Sequence, residues 1–287
     1  MRRFFFAMKS ILYFILTKSI GLYINILQWF APKTAAKTAY NFFSHPRVKR
    51  LSKNDLPPIL QSAEKQVFNF ENHKIQTYIW AGSQETILLI HGWESNAARW
   101  ENLINLLQKQ HKNIIAIDAP AHGLSSGKPF DIPTYGKFIK FISEKFQPEF
   151  VIAHSLGGAS AVYSQAIFPS PYLKKMVLIA APADQKVLFE NYVKLLSLSN
   201  SVFVGIDNYF KKRFGYSLDE FSGRNFAKQI TVPTLIIHDH KDETVLYQES
   251  QKIFSNLPNA IMHSTNGLDH SMQDYDLNQL IFDFLFK

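Results

Sequence analysis

From about residue 64 to the C-terminus, short runs of Ile, Leu and Val alternate with longer stretches whose apolar residues recur at helical spacing. The short runs fall at 65–70, 74–81, 86–90, 113–118, 149–153, 175–180, 234–237 and 260–263. The first two read as an antiparallel pair. The other six are near-continuous in aliphatic residues, as strands buried on both faces have to be. Helical patterns lie between and after them at about 97–109, 133–146, 156–168, 246–255 and 274–286. This alternation predicts an α/β fold with a mostly parallel eight-stranded sheet and helices on both faces. In such a sheet, function gathers where strands end.

Five of these ends carry chemistry. In Ile152-Ala153-His154-Ser155-Leu156-Gly157-Gly158 the serine falls on the turn between a strand and a helix of small residues. A tight turn of this kind exposes a hydroxyl that is a weak nucleophile until a base stands beside it. The usual pattern is G-x-S-x-G, and Ala153 replaces its first glycine. The run 86–90 leads into His91-Gly92-Trp93, and 113–118 ends on Asp118 and leads through Ala119 to Ser125. Past 234–237 come His238-Asp239-His240-Lys241-Asp242, and past the last run comes Asn266-Gly267-Leu268-Asp269-His270. A serine, an acid and a histidine therefore follow in that order, each just beyond a strand.

With these motifs the chain resembles the α/β-hydrolase superfamily from about residue 64 to its end. The resemblance implies a nucleophile at Ser155, a base at His270 and an acid at Asp242, with Asp239 and Asp184 as the other candidates for the acid. Asp239 stands where the family more often has glycine. The amides of Leu156 and Trp93 would form the oxyanion hole. His91, His122 and Asp118 are expected to brace their loops, and His154 to pack locally. The implied reaction is cleavage of a carboxylic ester through an acyl-enzyme, with thioesters, lactones, amides and C–C bonds open to the same triad. A dehalogenase or epoxide hydrolase would want an acidic nucleophile at 155. The alternative of another class is a non-catalytic, membrane-docked interaction protein of the same fold. Residues 183–227 are expected to form a small helical lid. Leu188, Phe189, Tyr192, Leu195, Leu196, Phe203, Tyr209 and Phe210 would either face an apolar acyl group or bury the lid against the sheet.

Composition narrows the rest. The chain has no cysteine, which excludes thiolate chemistry and sulfur metal sites. Neither a metal-binding histidine spacing nor a nucleotide-binding glycine loop is present, so no metal, no cofactor and no nucleic acid are expected. Of the net charge of +8, the first 50 residues hold nine cations (Arg2, Arg3, Lys9, Lys18, Lys33, Lys37, Arg47, Lys49, Arg50) and no acid. The remainder carries 22 cations against 23 anions. Lys9 and Lys18 interrupt the apolar stretch between Phe4 and Ala31, which is then too short to span a bilayer and lacks a persuasive signal-peptide cleavage site. A basic helix lying in the membrane interface fits better, with the hydrolase side cytoplasmic. The expected organisation is a helical arm over 1–50, a proline-containing linker over 51–63 and the hydrolase domain over 64–287.

Overall fold

The computed structural model describes residues 2–287, with side chains from Tyr13 onward. The arm's Arg2, Arg3 and Lys9 lie outside the residues whose side chains are described. The strands are β1 (Glu64–Phe70), β2 (His73–Trp80), β3 (Thr86–Ile90), β4 (Asn113–Ile117), β5 (Phe150–His154), β6 (Lys175–Ile179), β7 (Thr234–Asp239) and β8 (Ala260–Thr265). They form one sheet in the order β1-β2-β4-β3-β5-β6-β7-β8. β1, β2 and β4 pair antiparallel and every other neighbour pairs parallel, so β3 to β8 all end on the same edge.

The helices are α1 (Arg2–Phe30), α2 (Pro32–Ser44), α3 (Pro58–Gln61), α4 (Glu101–Lys109), α5 (Ile132–Phe146), α6 (Leu156–Ile167), α7 (Gln185–Leu196), α8 (Asn200–Phe214), α9 (Gly223–Ala227), α10 (Tyr247–Phe254) and α11 (Tyr275–Phe286). A 3₁₀ turn, Ala97–Trp100, precedes α4. Asp131 and Asp274 start α5 and α11 by accepting from the Thr134 and Leu277 amides at 2.8 and 2.9 Å, which satisfies donors a helix leaves free.

The chain divides into two compact units. The sheet unit comprises His45–Ala183 and Gly223–Lys287, and the helical unit comprises the arm to Ser44 together with Asp184–Ser222. In the sheet unit, Ile87, Leu89, Ile114, Ile152, Val177 and Ile237 form a buried face against Leu103, Ile104 and Leu107 of α4 and Leu277, Ile281 and Leu285 of α11. Two expectations need correction. Strand β8 is not buried on both faces: it is the last strand of the sheet, and Ile261 is 60% exposed. The segment 51–63 is no free linker either, because Leu56, Ile59, Leu60 and Ala63 are buried in the same core. Its prolines start α3 instead of keeping the chain loose.

In the helical unit, the aromatics of α7 and α8 are spent on α2. Phe189 lies 4.1 Å from Phe43 and 5.9 Å from Tyr40 between ring centroids, Tyr209 is 5.1 Å from Tyr40, and the Tyr192 hydroxyl donates to the Ala39 carbonyl at 3.0 Å. These side chains hold their own unit together, a use the sequence alone did not suggest.

Candidate active site

Ser155 sits between β5 and α6 with φ of 53° and ψ of −128°, a conformation that L residues hold only when the surroundings enforce it. Its amide donates to the Ile179 carbonyl at 2.8 Å, which ties the turn to β6. The neighbouring glycines are steric requirements. A Cβ on Gly157 would run into the carbonyls of Ile90 and His91 at the end of β3. One on Gly92 would stand 2.7 Å from Ser155 Cβ and 3.3 Å from its Oγ. The loop after β3 therefore presses directly against the serine.

His270 comes from the loop between β8 and α11. Its Nε2 lies 2.9 Å from Ser155 Oγ and its Nδ1 2.7 Å from Asp242 Oδ2. An ionised carboxylate only accepts, so Nδ1 carries the proton and Nε2 is left to accept from the serine hydroxyl. Asp242 is buried. Burial alone would raise its pKa, but hydrogen bonds from His238, His270 and the Val245 amide outweigh it and hold the carboxyl well below the usual range. Its Oδ1 accepts from the Thr244 and Val245 amides at 2.8 and 2.9 Å.

The order of the strands and the serine turn are those of a known fold. The family model described as alpha/beta hydrolase fold matches residues 85–198. Alpha/beta hydrolase domain-containing protein 10 from mouse superposes with a TM-score of 0.60 over 78% of this chain and 97% of the mouse chain, at 18% identity. The chain has the alpha/beta hydrolase fold. It is similar to a serine hydrolase-like protein of Danio rerio, 31% identical over 42% of this chain and 40% of that one. It is also similar to protein phosphatase methylesterase 1 of Candida albicans, 28% identical over 37% of this chain and 32% of that one. The chain thus spans less than half the length of these two relatives.

The other acids have different partners. Asp239 accepts from the Lys241 amide at 2.8 Å, the Thr265 hydroxyl at 2.7 Å and the Leu268 amide at 2.8 Å. It anchors the loop that carries His270. Burial pushes its pKa up, and the Leu268 amide with the Thr265 hydroxyl more than reverses this, bringing it down to about 2. Asp184 takes the Ser222 hydroxyl within the helical unit. His91 accepts from the Ala119 amide at 2.9 Å and donates to the Gly92 carbonyl at 2.7 Å; His122 accepts from the Glu94 amide at 2.9 Å and donates to the Pro120 carbonyl at 2.8 Å. Asp118 accepts from the Ala97 and Leu124 amides at 3.0 and 2.8 Å and from the Tyr78 hydroxyl at 3.0 Å, and burial still holds its pKa up at about 6. All three brace loops.

Around Asp242 and His270 two further histidines make contacts that the sequence did not show. His238 is fully buried, donates from Nε2 to Asp242 Oδ2 at 3.1 Å and to the Val245 carbonyl at 2.8 Å, and its Nδ1 lies 2.6 Å from Ser250 Oγ. His154 does more than pack. Its Nδ1 accepts from Arg99 Nη1 at 2.7 Å and its Nε2 donates to the His270 carbonyl at 2.8 Å, while Arg99 Nη2 donates to the Ser271 carbonyl at 3.0 Å. Burial, then the charges of Arg99 and His270, keep the His154 pKa well below its ordinary value, so the ring stays neutral as this pattern requires. Burial lowers Arg99 only to about 10, which leaves it charged. Arg99 and His154 thus form a clamp on the His270 loop. A cavity of about 180 Å³ lined by Val151, Ala161, Phe168 and Met176 belongs to the opposite strand ends, away from Ser155.

Proposed function

We propose that the chain is a serine hydrolase that cleaves a carboxylic ester in two steps. The observation that carries this reading is the continuous line from Ser155 Oγ through both nitrogens of His270 to Asp242. Ser155 attacks the ester carbonyl as its proton passes to His270 Nε2. Asp242 holds the proton on Nδ1 and steadies the imidazolium. His270 then gives its proton to the leaving alkoxide. Water attacks the acyl-enzyme with His270 as base, and the acid product leaves with Ser155 regenerated.

The tetrahedral intermediates carry a negative oxygen. Leu156 supplies the first amide of α6, which has no acceptor within its helix, and Trp93 supplies an amide from the loop that Gly92 brings against the serine. The expected acyl group is apolar, and the segment 183–227 is the expected lid. Similarity to a serine hydrolase-like protein and to a methylesterase supports an ester over the other bonds such a triad can cleave.

A fluorophosphonate probe tests the reading. The wild-type chain is expected to label and Ser155→Ala is not; a folded wild type that resists the probe removes the proposal. Hydrolysis of p-nitrophenyl esters of increasing acyl length then tests the pocket, and activity on the acetyl ester alone removes the apolar acyl group.

A further inference from the structure

Helix α1 faces the wrong way for a helix surrounded by water. Three of its polar residues point toward the rest of the helical unit, with Ser19 exposed: Thr17 is buried, Lys18 donates to the Leu195 carbonyl at 2.9 Å and to Ser197 Oγ at 2.8 Å, and Asn25 donates to the Ser197 carbonyl and accepts from the Ser199 amide at 2.9 and 2.8 Å. Gly21 lies against the Leu196 carbonyl so closely that any Cβ would collide with it. These contacts cap the C-terminal end of α7, where a lysine is also favoured by the helix dipole. The opposite side of α1 carries Leu16, Leu22, Tyr23, Ile26, Trp29 and Phe30, each more than half exposed, with Trp29 at 86% and Phe30 at 85%. At about 3.6 residues per turn these positions form a band around one side of the helix. A surface helix ordinarily shows the reverse arrangement.

We propose that this face of α1 docks on the interface of a membrane bearing anionic lipids. Charge selects the partner. Residues 1–44 contain six lysines and arginines and no acid, whereas 184–222 contain five of each sign. A second copy of the chain would bring two such basic arms together, and their repulsion opposes a dimer through this face. An anionic bilayer offers the apolar band a hydrocarbon boundary and the cations a complementary potential. Exposed Lys33 and Lys37 follow Trp29 and Phe30 on α2, placing positive charge beside aromatic rings of the kind that settle at headgroup level. Among the described residues no helix is long and apolar enough to cross a membrane, so the contact is one of lying on the surface.

The test is flotation of the full chain with phosphatidylcholine vesicles, with and without about one third phosphatidylglycerol. The chain is expected to float with the anionic vesicles, at least about tenfold more strongly than with the neutral ones, and to be released as salt rises. Leu22→Glu with Ile26→Glu is expected to weaken partition by about 100-fold or more, since each removes a side chain worth roughly tenfold in burial. Because those positions are exposed, the far-ultraviolet spectrum of the pair is expected to be unchanged. Brominated lipid is expected to quench the fluorescence of the unmodified chain, and Trp29→Phe to lose most of that quenching, a readout that needs no charged variant. Recovery of the wild type in the soluble fraction with both vesicles overturns the proposal. So does binding that ignores the Glu pair, or a dimer in sedimentation that the Glu pair dissolves. None of these outcomes depends on ester hydrolysis, so the docking face and the chemistry of Ser155 stand or fall separately.

Discussion

At the strand ends of the sheet unit, polar side chains are buried and paired; along α1 of the helical unit, apolar side chains are exposed and have no cover. Asp242 accepts from His270, His238 and two backbone amides. Trp29 and Phe30 stand almost wholly in solvent. The first arrangement is nearly complete in itself: the carboxylate of Asp242 and the rings of His270, His238 and His154 have hydrogen-bond partners, as a low-dielectric site demands, and Arg99 leaves only its Nε without one. The second is incomplete, because an apolar band left in water lacks the burial that normally stabilises a helix. One region therefore states its chemistry internally, and the other states it by what it lacks.

The sharpest way to separate the two regions is to break the first. His270→Ala is expected to lower kcat by about 10⁴ or more, because members of such a triad act as a unit. The thermal midpoint is expected to stay near the wild-type value, since the imidazole is partly exposed. Hydrolysis of a soluble ester measures the loss, and Leu22→Glu on α1 is expected to leave the same rate unchanged. Gly92→Ala comes next, at about 10²-fold in kcat. Its new methyl would stand 2.7 Å from Ser155 Cβ and push the hydroxyl off the line to His270. A fully active Gly92→Ala would mean that the loop after β3 does not set the position of the serine.

Arg99→Gln has a smaller expected effect and a different signature. Arg99 touches neither Ser155 nor the carboxylate of Asp242; it holds His154 and the Ser271 carbonyl, and through them the backbone of His270. A loss of about tenfold to 100-fold in kcat with little change in KM is expected, the range seen when a supporting partner is removed. Arg99→Lys is not expected to restore the rate, because one ammonium cannot reproduce the two-nitrogen fork. Steady-state kinetics of both variants distinguishes this clamp from simple packing, which lysine would partly satisfy.

These differences also explain what could be read in the chain beforehand. Five aliphatic runs bounded by turn residues, those of β3 to β7, predicted strands because burial on both faces leaves a pattern in consecutive residues; β8 was read the same way although Ile261 is exposed. Ser155, Asp242 and His270 were singled out because each lies within a few residues of the end of such a run, and the structure brings the three side chains within hydrogen-bonding distance in series. Arg99 and His154 were not, since their bond joins residues 55 apart and only the packing of the Ala97–Trp100 turn against the end of β5 brings them together. His238 read as the last residue of a strand, with nothing to say that Asp242 would curl back onto it. For α1, cations and apolar residues could be seen together in one arm. Which side would face outward depended on the cap it makes with the end of α7, a contact about 170 residues away along the chain.

Asp239 gives the mildest prediction and the one most confined to the sheet unit. Its folded pKa of about 2 lies below the ordinary 3.8, so in this range the unfolded chain binds the proton more readily than the native one. Stability gained from this carboxylate is therefore present in full above about pH 5 and is lost as pH falls through about 4 to 2. In Asp239→Asn the amide cannot accept with both oxygens from Lys241, Thr265 and Leu268, and a deficit on the order of 1 kcal/mol is expected at neutral pH. The gap between wild type and variant is then expected to close in acid, because the wild type has by then protonated the same group. Urea denaturation at neutral pH and near pH 3 measures it. A gap of equal size at both values would mean that Asp239 stabilises the His270 loop by shape and not by charge. The arm up to Arg50 carries no carboxylate at all, so α1 has no such acid-linked term of its own.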